Sequence, residues 1–290
     1  MQKNSTYGLI SGLSAAAIWG GMYVVSKVVM ETISPFTLIT SRLLLGISVL
    51  YLVILWRGGI RISRRSFWQV FWVGTIGYGV SLGFQFVGTK LSTAANGALV
   101  TSATPAFVLL FAALILGERI TPRRLIALAL ATLGVMAVID PRTARLEPDL
   151  FWGNVSLVMA AITWALYSVL IRKVTREVDV LTTSMIAFVG GLVVSVPLSI
   201  SEISRVGIGE ITPAIIAGVL FLGIISTALA MFLWNTAFAE LPAGVASLTF
   251  FAQPVVGTIL GVVFLGDQIT LMFIVGGVLI GTGILISAKE

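Results

Sequence analysis

The chain has 290 residues, 58% hydrophobic and 10% charged, with a formal net charge of +6 and a mean hydropathy of +1.07. Soluble domains carry about 25% charged residues, so this composition excludes an ordinary soluble globular protein. Cysteine and histidine are both absent, which excludes disulfides, thiolate metal sites and the commonest proton shuttle.

In chain order the charges and Pro/Gly turns separate ten apolar runs: about 7–29, 36–56, 67–88, 93–116, 123–140, 150–171, 180–200, 213–238, 243–265 and 271–288. Each is near the ~20 residues needed to span a bilayer as a helix. The first exceeds the ~7–15-residue apolar core of a cleavable signal, and nine more runs follow it. Helices satisfy their own backbone groups in lipid, so the expected fold is all-α, a polytopic membrane protein with ten transmembrane helices. The basic residues lie in short clusters between the runs, a pattern of membrane topology rather than of a nucleic-acid stripe. With the N-terminus inside, the inner set is Lys3, Arg57, Arg61, Arg64, Arg65, Arg119, Arg123, Arg124, Arg172, Lys173, Arg176 and Lys289. Only Lys90, Arg142, Arg145 and Arg205 fall outside, and Lys27 and Arg42 sit within or near helix ends. Both termini are therefore expected to be cytoplasmic.

The longest polar stretch, "DPRTARLEPD" at 140–149, divides the runs five and five. Residues 1–140 and 150–290 read as two repeats joined by a loop at 141–149. Gly8, Trp19 and Lys27 match Gly153, Trp164 and Arg172 at an offset of 145. Gly74, Pro105, Gly117 and Gly134 match Gly223, Pro254, Gly266 and Gly283 at an offset of 149. An odd number of spans per repeat inverts the second copy. "LGERIT" (116–121) and "LGDQIT" (265–270) then end on opposite sides, and the second lacks the Arg that would anchor it to the cytoplasm. Inverted repeats mark secondary transporters that bind substrate near the midplane.

Ten spans, paired mid-span Trp segments ("AIWGGMYVVSK", "AITWALYSVLIRK") and the "P…LGE" and "P…LGD" segments resemble the drug/metabolite transporter superfamily. The resemblance is to its EamA-type exporters, and among these to the bacterial aromatic amino acid exporters. It implies an inner-membrane carrier that exports amino acids through a central cavity, with no enzymatic activity, no cofactor and no nucleic-acid partner. Oligomeric state is open, and a monomer suffices. Other metabolite cargo of the superfamily (nucleotide-sugar, sugar-phosphate or purine-like) and a non-transporting scaffold remain as alternatives.

Pro105 and Pro254 lie mid-span in equivalent places. Each frees a carbonyl one turn earlier, near Thr101 and Phe250, which lines a cavity or is covered by a neighbouring helix as a simple kink. Trp19 with Tyr23 and Trp164 with Tyr167 each share a helix face, and their polar tips need partners inside the membrane. Tyr78, Ser81 and Gln85 recur at helical spacing, and Asn96, Thr101, Ser102 and Gln253 add hydroxyls and amides. These groups either line the cavity or hydrogen-bond helix to helix. Lys27 and Arg42 either attract a substrate carboxylate or snorkel to the interface.

All twelve acids fall near helix ends or in loops, so no metal site is expected and no midplane acid can relay protons. Facilitated diffusion or exchange is expected rather than tight proton coupling. Glu118 and Asp267 read as helix-end acids.

Overall fold

The computed structural model describes residues 5–60, 62–92, 100–139, 150–265 and 271–288, with the backbone alone for residues 23, 24, 139, 258 and 261–265. Asn96, Asp267, the loop at 141–149 and the side chain of Tyr23 lie outside the described residues.

The described elements are all helical. We label them α1 (Ser5–Val29), α2 (Pro35–Trp56), α3 (Arg64–Leu91), α4 (Thr104–Leu116), α5 (Pro122–Ile139), α6 (Phe151–Val174), α7 (Val180–Val206) and α8 (Pro213–Glu240). Two more follow: α9, built from Ala243–Leu248, a tight turn at Thr249–Phe251 and Ala252–Leu265, and α10 (Leu271–Ala288). Six of them (α2, α3, α6, α7, α8 and α10) are long and apolar enough to cross a membrane.

Local chemistry sets the boundaries. Pro35 and Pro213 open α2 and α8, where a missing N–H costs nothing. Ser63, Asp179 and Thr212 cap α3, α7 and α8 by accepting from the N–H groups of Ser66, Thr182 and Ile215. The first N–H groups of α2 are capped from another helix: Glu202 of α7 accepts from the backbone of Phe36 and Thr37 at 3.1 and 2.9 Å. Gly117 (φ 67°) turns the chain out of α4 in the left-handed region that favours glycine. Outward, Trp56, Leu114, Trp152 and Leu271 are each more than 70% exposed. Apolar exposure on this scale suits a lipid-facing surface.

The packing follows a paired scheme. Helix α2 lies along α7, and α5 along α10. Helix α1 packs on α8 and α9, while α6 packs on α3 and α4. Likewise α3 packs on α7, and α8 on α2. Glycines allow the close approaches. A Cβ on Gly46 of α2 would meet Phe188 and Thr227, and one on Gly191 of α7 would meet Leu43 and Tyr78. Each member of the first trio lies 145 or 149 positions from its counterpart in the second. At the helix ends, Gly8 packs on Leu241 and Gly153 on Leu91. Gly134 and Gly276 meet backbone to backbone in the α5–α10 seam. That pair has its own small core with Leu248 and Phe251, beside the main core of the other helices.

Helices α3 and α8 each contain a wide i→i+5 stretch, Thr75–Ser81 and Phe221–Leu229. Such stretches shift hydrogen bonds out of register and often sit at functional sites. Ser81 of the first lines the cavity described next, and Ser226 of the second accepts from Trp19 in its wall.

Candidate functional site

A cavity of about 30 Å³ lies between the halves, room for about two waters. Its lining comes from α1 (Trp19, Met22), α3 (Ser81, Leu82, Gln85), α6 (Ala160, Ala161, Trp164), α8 (Met231) and α9 (Phe250, Gln253). Thr101, in the turn before α4, and Thr104 complete it. The helix breaks at 102–103, immediately ahead of Pro105, and the turn at Thr249–Phe251 precedes Pro254. Thr101 and Phe250, the residues whose carbonyls the prolines were expected to free, are both at the wall.

The wall is aromatic. Trp19 meets Trp164 edge-on at 5.9 Å and Phe250 at 6.2 Å. Trp234 stands against all three, at 5.3 Å from Trp19, 6.3 Å from Trp164 and 5.6 Å from Phe250. The indole tips differ. Trp19 Nε1 donates to the Ser226 carbonyl at 3.1 Å, in the wide stretch of α8. Trp234 Nε1 donates to Ser168 Oγ at 3.2 Å. Trp164 Nε1 is buried with no hydrogen-bond partner among the described residues. Gln253 Nε2 donates to the Trp19 carbonyl at 3.3 Å, tying α9 to α1, and Ser81 Oγ donates to the Ala160 carbonyl at 3.0 Å.

Tyr78 and Tyr167 do not line the cavity. They form a fully buried ring of hydrogen bonds behind Trp164. Tyr167 donates to Asn235 Oδ1 at 2.8 Å, and Asn235 Nδ2 donates to Tyr78 Oη at 3.3 Å and Ser184 Oγ at 2.9 Å. With Tyr167's proton so committed, the short Tyr78–Tyr167 bond is donated by Tyr78. The amide and both phenols are thereby satisfied.

Arg42 is also buried, at 1% exposure, and so does not snorkel to the interface. Its Nε donates to Thr227 Oγ1 at 3.0 Å, and Nη2 lies 3.4 Å from Ser226 Oγ and 3.6 Å from Met22 Sδ. The guanidinium sits 5.0 Å from the Phe86 ring centroid. Nη1 has no partner, and Arg42 forms no ion pair among the described residues. Lys27, by contrast, is exposed in the last turn of α1.

At one end of the molecule Glu118 does more than end a helix. Its Oε1 accepts from the Ala243 N–H at 2.9 Å and lies 3.2 Å from Arg172 Nε, while Oε2 lies 3.1 Å from Arg124 Nη1. Arg172 Nη1 also donates to the carbonyls of Phe238 and Leu241. The ends of α4, α6 and α8 and the starts of α5 and α9 are thus tied in one buried junction. Arg124 and Arg172, counted at first as solvent-side topology signals, both turn inward.

The structure therefore brings together Trp19, Ser81, Gln85, Thr101, Trp164, Phe250 and Gln253. Met22, Met231 and Trp234 were not singled out from sequence, nor were Ser226, Thr227 and Asn235.

The sequence pattern of the EamA-like transporter family matches residues 6–139 and, a second time, residues 151–288. An uncharacterized transporter of Archaeoglobus fulgidus is 25% identical over 94% of this chain and 94% of its own length. The uncharacterized transporter YyaM of Bacillus subtilis is 26% identical over 98% and 94%. Protein PecM of Dickeya dadantii is 28% identical over 76% and 73%. A solved crystal structure shares the fold, with a TM-score of 0.80 at 21% identity, covering 97% of this chain and 96% of that one.

Proposed function

The chain belongs to the EamA-like transporter family, and from that premise we propose that this multi-pass membrane transporter exports amino acids, aromatic ones included. The observation that carries this reading is the central cavity walled by Trp19, Trp164 and Phe250 and edged by neutral hydrogen-bonding groups. Rings stack on its walls, and hydroxyls and amides orient polar ends.

The working fold in this proposal is two five-helix repeats, 1–140 and 150–290, inverted in a bacterial inner membrane with both termini cytoplasmic. The paired packing of α1 on α8 and α6 on α3, and of Gly46 and Gly191, supports it. In that orientation the Glu118 junction seals the cytoplasmic side. A cavity of about 30 Å³ is smaller than an amino acid, so binding requires the halves to part. Export then alternates between an opening at the Glu118 junction and one at the opposite end. With no acid among the cavity residues, the cycle runs as facilitated diffusion or exchange.

Thermal unfolding of the purified chain tests the reading. L-phenylalanine and L-tryptophan should raise the midpoint saturably, whereas a scaffold would show no shift. A shift with nucleotide-sugars alone would move the proposal to that cargo.

A further inference from the structure

Two buried donors at this site have no acceptor among the described residues: Trp164 Nε1 in the cavity wall and Nη1 of Arg42. Arg42 is the unusual one. A guanidinium buried at membrane depth is costly unless something pairs with it, and here two hydroxyls, a thioether and a ring stand where a carboxylate would. Packing alone does not demand the residue. The position 145 residues on is Ala187, which packs against Gly74 of α3, and the polar ring of that half, around Tyr78, is neutral. The guanidinium is also near the cavity, because Met22 both contacts Nη2 and lines the wall. Methionine is unbranched and flexible, the side chain most easily moved aside.

We propose that Arg42 is the counter-charge for a carboxylate of the transported molecule, which reaches Nη1 when Met22 rotates away. This rests on the amino acid reading above and deepens it. A single cation suits a monocarboxylate, and the aromatic faces of Trp19 and Phe250 suit the ammonium and ring at the other end. Closure is then favoured by substrate: a bound carboxylate offsets the cost of burying the guanidinium, and the paired form of Arg42 exists only with substrate bound.

The test measures affinity by tryptophan fluorescence, using the purified full chain and four probes: L-phenylalanine, L-phenylalaninamide, succinate and glucose 6-phosphate. The wild type should bind L-phenylalanine about tenfold or more tightly than its amide, the size of one charged hydrogen bond. Arg42→Gln should erase that preference, and Arg42→Lys should restore part of it. Equal affinity for acid and amide in the wild type overturns the assignment, and that comparison needs no variant to fold. Retained preference in Arg42→Gln, or failure of every acidic probe to bind, overturns it too. If L-phenylalanine fails but succinate or glucose 6-phosphate binds in an Arg42-dependent way, the amino acid reading falls and the role of Arg42 stands. If L-phenylalanine and its amide bind equally well, the reverse holds.

Discussion

Two polar clusters flank the α2–α7 pair, in corresponding places of the two halves. Around Tyr78 every buried group of the ring has a partner: two phenols, the Asn235 amide and the Ser184 hydroxyl close on one another. Around Thr227, the counterpart of Tyr78, lies a buried guanidinium with one nitrogen unpaired among the described residues. The backbone scheme is shared and the chemistry is not. The satisfied cluster fixes helices α3, α6, α7 and α8 together, whereas the other leaves the donor on which the proposed carboxylate contact rests. Indole tips divide in the same manner: Trp19 is bonded, and its counterpart Trp164 has no partner among the described residues.

The glycines test how far the shared backbone goes. A Cβ on Gly74 would sit 2.1 Å from the Ala187 carbonyl oxygen, while one on Gly223 would meet the Leu45 side chain at 2.5 Å. Backbone cannot yield as a side chain can, so Gly74→Ala should destabilise by about 3 kcal/mol and Gly223→Ala by about half that. Thermal or denaturant unfolding of the two purified variants reads the gap, and equal losses would place both contacts on the same footing.

Asn235→Leu should cost about 1–3 kcal/mol, because it leaves the Tyr167 proton without its acceptor in a dry site. Ligand affinity should move little, since that ring lies behind the cavity wall. A large affinity loss at unchanged stability would instead make the ring a substrate contact.

The smallest effects separate the two indoles. Trp19→Phe breaks a bond to the Ser226 carbonyl and should lower stability by about 1 kcal/mol. Trp164→Phe removes a donor that no described residue accepts, so its stability loss should be smaller. Its cost should appear as a severalfold weaker affinity for L-phenylalanine, measured by calorimetry.

Much of this architecture is legible before any coordinates. Long apolar runs closed by Pro, Gly and charge place α2, α6, α7, α8 and α10 to within a few residues, because lipid leaves the backbone few alternatives. The prolines at 105 and 254 also point at the wall, since each follows a break in its helix, although Pro197 sits within the continuous α7. Other features hide for identifiable reasons. Helical spacing puts Tyr167 beside Trp164, yet cannot say which neighbour that face meets, so a packing ring resembles a binding face. Trp234 and Met231 sit in the apolar run "LAMFLWNTAF", where nothing marks one side chain as special. Arg42 is near enough to a helix end to snorkel, and only the packing of Met22, Phe86 and Thr227 around it shows otherwise. The Glu118 junction joins Glu118 to Ala243, a separation no local pattern reveals.

Counterflow in liposomes bears most directly on the carrier itself. Vesicles containing the purified chain and loaded with unlabelled L-phenylalanine should take up labelled L-phenylalanine transiently above equilibrium, at a rate sharply reduced by Trp164→Ala. An imposed pH gradient without internal substrate should drive no accumulation. Absence of counterflow with every aromatic amino acid would contradict the proposed function, and uphill uptake on the pH gradient alone would contradict the exchange cycle.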